Sequence, residues 1–499
     1  MQSLTTKIVT SIVSTGLCWG VCATEMLLHN VHGLTSSNEG LKAFTHLHVS
    51  ESGKIVAVGD DLDVPKDVQR VDGGGAWVLP GLIDSHGHIM SLGRAFTRVD
   101  LVGTRTKDEA LSRVAAFAER NPGRGWITGR GWNQVLWDIK QFPTAGDLDG
   151  LSIEQPIFLG RIDGHAAWAN SAALAQAGID NDTPDPRGGE ILRDAKGRAT
   201  GILVDAAMDL VTRHIPPPGP KEEEQALTLA LKHLAEVGLT SVHDAGVTAE
   251  EVGLFKRFAD EGRLTLRVYA MLSGAGEQLD AFDEPLIGYA DDLVTVRSIK
   301  LYQDGALGSR GAALIQPYTD RRDTKGLAFN SGQELQGMVS KAVSKGFQVN
   351  IHAIGDAANR RVLDAFEALS SDESYQMRHR IEHAQIITLG DIPRLAKLGV
   401  IASMQPIHAT SDMNMAVDRL GNERILGGYA WRRILNTGAI IASGSDFPVE
   451  PANPFFGLYA AVSRQDQDGW PAEGWYADQA MTRAEALHSF TLSGAYAAH

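Results

Sequence analysis

The sequence predicts an α/β fold: a (β/α)8 barrel joined to a small β-domain, with a large insertion after the first barrel strand. Three observations predict it. Eight short apolar segments recur between residues 78 and 444, and helix-like stretches follow several of them. None is followed by a Gly-rich nucleotide loop, which disfavours an open doubly wound sheet. About 155 residues separate the first segment from the second, whereas such connections usually take 2–6 residues plus a helix.

Residues 1–23 read as a secretory signal peptide. Lys7 precedes a mostly apolar run from Ile8 to Val21, and Val21-Cys22-Ala23 supplies small residues before a cut after Ala23. A buried N-terminal strand is the alternative. The run is too short and too interrupted by Ser and Thr to span a membrane, and neither cysteine has a lipoprotein setting, so no stable membrane anchor is expected. Cys18 and Cys22 are the two cysteines of the chain, and cleavage removes both. That excludes thiolate catalysis and Cys-type zinc sites, and places the protein in the periplasm or outside the cell.

Residues 24–75 form the N-terminal part of the small β-domain, with strands expected at Met26–His32 and Lys54–Gly59. Residues 76–499 form the barrel. Its strands are expected at 78–84, 240–244, 265–271, 296–302, 347–352, 379–383, 400–404 and 440–444. The clearest helix is 221–237, with Pro220 before it, Glu222, Glu223 and Glu224 in its first turn and Gly238 after it. Residues 89–239 contain the inserted subdomain, expected above the catalytic face. It carries Trp126, Trp132, Trp137 and Trp168, either as its own core or as the wall of a substrate site.

Composition bounds the partners. Of the residues 43% are hydrophobic and 21% charged, as in ordinary globular proteins. Lys and Arg number 46 against 61 Asp and Glu, a net charge of -15. Such a surface repels phosphate backbones and anionic lipid, so a small-molecule substrate is expected and nucleic acid is not. A homo-oligomer is compatible with the sequence.

The chemistry begins at Asp84-Ser85-His86-Gly87-His88, which ends an apolar segment. Residues i and i+2 of a strand point the same way, so His86 and His88 can reach one ion together. Alone the spacing is weak evidence. His352, His383 and Asp446 each end a further expected strand, where barrel enzymes keep their catalytic residues. Four histidines and an aspartate converging there match the N/O ligand set of catalytic zinc, although such donors also accept Mn, Fe or Co. Lys300, inside the apolar segment Ser298–Tyr302, is costly to bury unless modified, deprotonated or paired; a salt bridge to Asp304 or another carboxylate is the competing reading.

In this order the motifs resemble the amidohydrolase superfamily, and more narrowly amidohydrolase family 3 and its N-substituted formamide deformylase-like branch. Leu79–His88, Asp163-Gly164-His165-Ala166-Ala167-Trp168, Asp304–Arg310, His352–Asp356 and Gly444–Pro448 carry the resemblance, which covers about residues 25–498. It implies a TIM-like barrel with a composite β-sandwich and a metal-dependent hydrolase cleaving an amide-type C–N bond, such as an N-acyl or N-formyl amine. One or two divalent ions, zinc first among them, are implied: His86, His88 and Asp446 hold one, His352 and His383 the second, with Lys300 bridging both as N-carboxylysine. Asp446 also serves as the acid/base, with His243 as runner-up. His165 and Trp168 are candidate substrate contacts; Arg310 either contacts substrate or clamps its own loop. Relatives continue past the last helix into strands that complete the sandwich. Here Ser493–Tyr496 is followed by Ala497-Ala498-His499 and the chain ends, so that domain is expected to be incomplete. Deamination of an aminated heterocycle on the same site, and a metal-free scaffold, are the alternatives.

Overall fold

The computed structural model describes residues 25–37, 40–123, 125–162, 164–369 and 376–499. The expected signal peptide lies outside the described residues, as does Asp163. Among the described residues no helix is long and apolar enough to cross a membrane.

A five-stranded sheet opens the chain: β1 (Met26–Ser37), β2 (Gly40–Phe44), β3 (His46–Val49), β4 (Ile55–Gly59) and β5 (Gln69–Val78). β1 is its hub, antiparallel to β2 and β3 and parallel to β5.

The barrel follows. Its strands are β6 (Leu82–Gly87), β13 (Leu239–Val247), β14 (Arg267–Ser273), β16 (Val294–Tyr302), β17 (Gln348–Ala353), β18 (Arg380–His383), β19 (Ile401–Met404) and β20 (Ile441–Ser443). They pair in parallel in that order, and the short β15 (Leu286–Gly288) adds antiparallel to β16. Helices cover the outside and the strands run buried on both faces, which is why they read as apolar runs in sequence. Seven of the eight strands lie where expected. The first is displaced to Leu82–Gly87 from 78–84, because Val78 completes β5 opposite Gly33, and Pro80, which lacks an N–H, breaks the chain between the two sheets.

The barrel is nearly closed. β6 and β20 are stitched at the mouth by Asp446 N–H to His86 C=O (2.7 Å) and His88 N–H to Phe447 C=O (2.9 Å). The contact needs glycine at 444: a Cβ there would lie 2.5 Å from the His86 nitrogen. At the other end the helix Leu492–Ala497 seals the barrel, its Ala497 carbonyl accepting from buried Arg380 (2.5 Å) and Gln348 (3.0 Å).

The helix expected at 221–237 spans Pro220–Glu236 and turns Ala226, Leu227, Ala230, Leu231 and Leu234 inward. Between β6 and β13 the chain builds a six-stranded sheet of its own: β7 (Val99–Asp100), β8 (Ile127–Trp132), β9 (Ile157–Arg161), β10 (Ala166–Ala169), β11 (Gly189–Arg193) and β12 (Ala199–Asp205). Its tryptophans are core. Trp132, Trp137 and Trp168 are buried, with ring centroids 6.1 to 6.4 Å apart, and Trp168 Nε1 donates to the Thr144 carbonyl at 2.7 Å.

Candidate active site

The C-terminal mouth of the barrel holds a cavity of about 420 Å³ whose floor includes His88, Lys300, His352, His383, His408 and Asp446. His86 closes it from beneath, fully buried. The strand ends put these groups there, and two of them take backbone conformations that L-residues rarely adopt: His383 has φ 73° and Asp446 φ 64°. Such strain persists only where surrounding contacts hold it, and it gathers at functional sites.

Asp446 is the hub. Its Oδ1 lies 3.0 Å from His88 Nε2 and 3.6 Å from His86 Nε2, and its Oδ2 lies 3.7 Å from His408 Nε2. Burial opposes its charge, but the hydrogen bond from His88 and the field of His86 and His408 outweigh it and hold the carboxyl well below the usual carboxylate range. His86 is also shifted downward, chiefly by desolvation and then by Lys300, as is His352, which is pushed down to about 3. Both imidazoles are therefore neutral at ordinary pH, as ligands must be.

The donor set fits a divalent cation. His86 Nδ1 donates to Glu382 Oε2 (2.5 Å), His88 Nδ1 to the Ala245 carbonyl (2.8 Å) and His383 Nδ1 to Gln405 Oε1 (2.8 Å). At His86 and His383 the acceptor fixes the tautomer and leaves the Nε2 lone pair for the cavity, whereas His88 Nε2 donates to Asp446 Oδ1 and would give up that hydrogen to hold a metal ion. His352 Nε2 is buried with no hydrogen-bond partner among the described residues. The ligand atoms of His86, His88 and Asp446 all lie within 4.8 Å of one another, as do those of His383, His408 and Asp446. Ring centroids of His383 stand 4.7 Å from His86 and 4.5 Å from His352. The site thus brings together His86, His88, His352, His383 and Asp446.

Lys300 joins them, buried, with Nζ 3.3 Å from His86 Nε2 and 4.7 Å from the centre of the Tyr302 ring. Desolvation lowers its pKa although Glu382 and Asp446 pull upward. Asp304, its proposed salt-bridge partner, is otherwise engaged: its oxygens accept the amides of Ala313 (2.8 Å), Ile354 (2.9 Å) and Gly355 (2.8 Å). Burial pushes that carboxyl up to about 7. Asp84 and Asp244 behave alike, also pushed up to about 7 by burial while binding Ser445 and the Ile89 amide. These aspartates brace the loops that carry the site.

Three expected substrate contacts are not brought to the cavity. Trp168 is locked in the core of the inserted sheet. His165 stands exposed on that sheet, with Nδ1 2.7 Å from Asp205 Oδ1. Arg310 clamps its own loop through Asp320, at 2.9 Å, and Arg419 shares the same carboxylate. His243 also stands apart, its Nδ1 accepting from Arg380 at 2.9 Å within the barrel. Sequence reasoning missed His408, Glu382, Gln405 and Gln385. Two of them sit in Met404-Gln405-Pro406-Ile407-His408, where polar groups directly follow the seventh strand, a signal of the same kind as the others.

Residues 69–499 match the model of the amidohydrolase family. The chain belongs to that family. This amidohydrolase is 30% identical to the N-substituted formamide deformylase of Arthrobacter pascens, across 89% of this chain and 84% of that protein. It is 32% identical to Protein LONG AFTER FAR-RED 3 of Arabidopsis thaliana, across 95% of this chain and 83% of that protein. The crystal structure of an uncharacterized metal-dependent hydrolase from Pyrococcus horikoshii superimposes with a TM-score of 0.78 at 29% identity, covering 95% of this chain and 93% of that one. The amidohydrolase is a metal-dependent hydrolytic enzyme acting on C–N bonds of a small-molecule substrate.

Proposed function

We propose that this amidohydrolase cleaves the amide of an N-formyl or N-acyl amine, releasing a carboxylate and an amine outside the cytoplasm. One observation carries it: an ionised Asp446 on the cavity floor, with His88 on one carboxylate oxygen and the other oxygen facing the cavity. His86, His88 and Asp446 would hold one divalent ion, zinc by preference. His352 and His383 would hold a second, with Lys300 bridging both if carboxylated; its burial favours the uncharged amine that carboxylation requires. When bound, the metal lowers the pKa of water from 15.7 to about 7 and polarises a carbonyl.

The protein's own groups do the rest. Asp446 accepts the proton of the attacking water as its oxygen adds to the acyl carbon. It then hands that proton to the nitrogen as the C–N bond breaks, so one water is consumed and no other reactant is needed. Ala306, Leu307, Ile354 and Val449 offer the amine substituent an apolar wall. Cleavage of residues 1–23 would place the enzyme in the periplasm or medium.

The test is product analysis of metal-loaded protein on a panel of N-alkyl and N-aryl formamides and acetamides, beside aminated heterocycles. Release of formate or acetate with the free amine supports the reading. Ammonia from the heterocycles alone would replace it with deamination.

A further inference from the structure

His408 is the fifth imidazole of the cavity, on the helix Pro406–Asp412 that follows β19. Its Nε2 is buried and has no hydrogen-bond partner among the described residues. The nearest charged atom, Asp446 Oδ2 at 3.7 Å, is too far for a hydrogen bond. Its other nitrogen sets it apart from its neighbours. His86 and His383 each present Nδ1 to an acceptor, so Nε2 is left with a lone pair. His408 Nδ1 instead faces the side-chain amide nitrogen of Gln385 at 3.2 Å, while Gln385 Oε1 lies 3.4 Å from the Tyr429 hydroxyl. An amide NH2 only donates. His408 Nδ1 is therefore the acceptor, and the ring hydrogen sits on Nε2, pointing into the cavity. A ring nitrogen that carries hydrogen has no lone pair for a metal, but it can donate to an oxygen.

We propose that His408 is a catalytic residue whose Nε2–H donates a hydrogen bond to the substrate carbonyl oxygen as it gains negative charge. The proposal rests on the amide-hydrolase reading above. Asp446 Oδ1 is occupied by His88, so the side of the carboxylate facing His408 is the one open to water and substrate. An acyl carbon attacked there carries its oxygen into reach of Nε2. The donor is aimed before substrate arrives. The Tyr429 amide donates to the backbone carbonyl of Gln385 at 2.7 Å, and the Tyr429 hydroxyl is itself held by Asp412 at 2.5 Å, so the segment that carries Gln385 is anchored beside the imidazole. Donors fixed where charge develops lower a barrier without reorganising.

His408→Phe removes the donor and keeps the volume; His408→Gln keeps an N–H donor. In metal-loaded protein, His408→Phe should retain the native metal content by elemental analysis. Its kcat should fall about 10²–10³-fold with KM little changed, and His408→Gln should recover part of the loss. Methylphosphonate, a tetrahedral anion, should bind His408→Phe at least about tenfold more weakly than native protein by calorimetry. Loss of metal from His408→Phe would make the residue a ligand and overturn the proposal. Unchanged kcat and phosphonate affinity would overturn it as well. If native protein hydrolyses no amide, the functional reading fails, and the phosphonate comparison still decides the role of His408.

Discussion

Glu382 Oε2 stands 2.5 Å from His86 Nδ1, and neither side chain is exposed to solvent. A carboxylate there fixes the imidazole tautomer and raises the basicity of Nε2. Glu382→Ala should therefore weaken metal binding about 10–100-fold while leaving the fold intact. Metal titration against a chelator of known affinity reads this directly. Equal affinity in the two proteins would show that packing alone orients His86.

The first-strand histidine is the larger lever. His86→Ala should abolish binding at the position shared with His88 and Asp446, and with it nearly all turnover, because a ligand and not a packing residue is removed. Circular dichroism should match the native protein. Full metal occupancy with native turnover would remove His86 from the ligand set.

Much of this was legible in the sequence, for a physical reason. Parallel strands buried on both faces must be apolar, so a histidine or aspartate closing such a run announces itself, as at His86, His352, His383 and Asp446. Residues that act through a neighbour send no such signal. Glu382 differs from a structural glutamate only by its distance to His86 across the barrel, and the two are far apart in sequence. His408 lies on a helix, beyond the strand end where ligands were sought. Trp168 was drawn toward the substrate because it ends one of the motifs that carry the resemblance, but of its two readings the core one holds, since an inserted sheet needs large buried side chains of its own. The first strand was misplaced because an unbroken apolar run hides the boundary between two sheets at Pro80.

Lys300→Met keeps the length and apolar stem of the side chain but cannot be carboxylated. If the lysine bridges two ions as a carbamate, metal content should drop from two ions per chain toward one, and added short carboxylic acids should restore part of the activity. Native stoichiometry with lowered stability alone would assign Lys300 a packing role.

Away from the site, the helix Arg483–Ser489 is held by a clasp. Arg432 meets both oxygens of Glu485 at 2.7 and 2.5 Å, and Glu485 also accepts the Thr482 amide at 2.7 Å. The Arg432 hydrogen bond first, and those from Thr482, hold the carboxyl down to about 2. A depressed carboxylate stabilises above its unfolded pKa, roughly 4.3, and the contribution is lost as pH falls through the folded value. Glu485→Gln should cost on the order of 1 kcal/mol in urea unfolding at pH 7. The difference should hold to about pH 5 and shrink between roughly 4.3 and 2. A gap that stays constant to pH 3 would mean that charge plays no part in the clasp.

Asp446→Asn should keep the barrel and much of the metal, yet lose activity by orders of magnitude. Asn is nearly isosteric and still offers an oxygen toward His88, so the left-handed turn at position 446 and its tie to His86 survive. It cannot take a proton from water or return one to nitrogen. A positioned acid/base contributes about 10²–10⁴-fold, and a residue serving both steps should lie toward the upper end. The pH profile gives a second reading. His88, His86 and His408 hold the native carboxylate well below the usual range, so the active, ionised form persists into acid and activity falls only as that group is protonated. That limb should vanish from the residual activity of the variant. His243, spent on Arg380, should by contrast tolerate replacement by Asn without change in the profile. An Asp446→Asn enzyme keeping more than about a tenth of native turnover would move the proton-transfer role to another group.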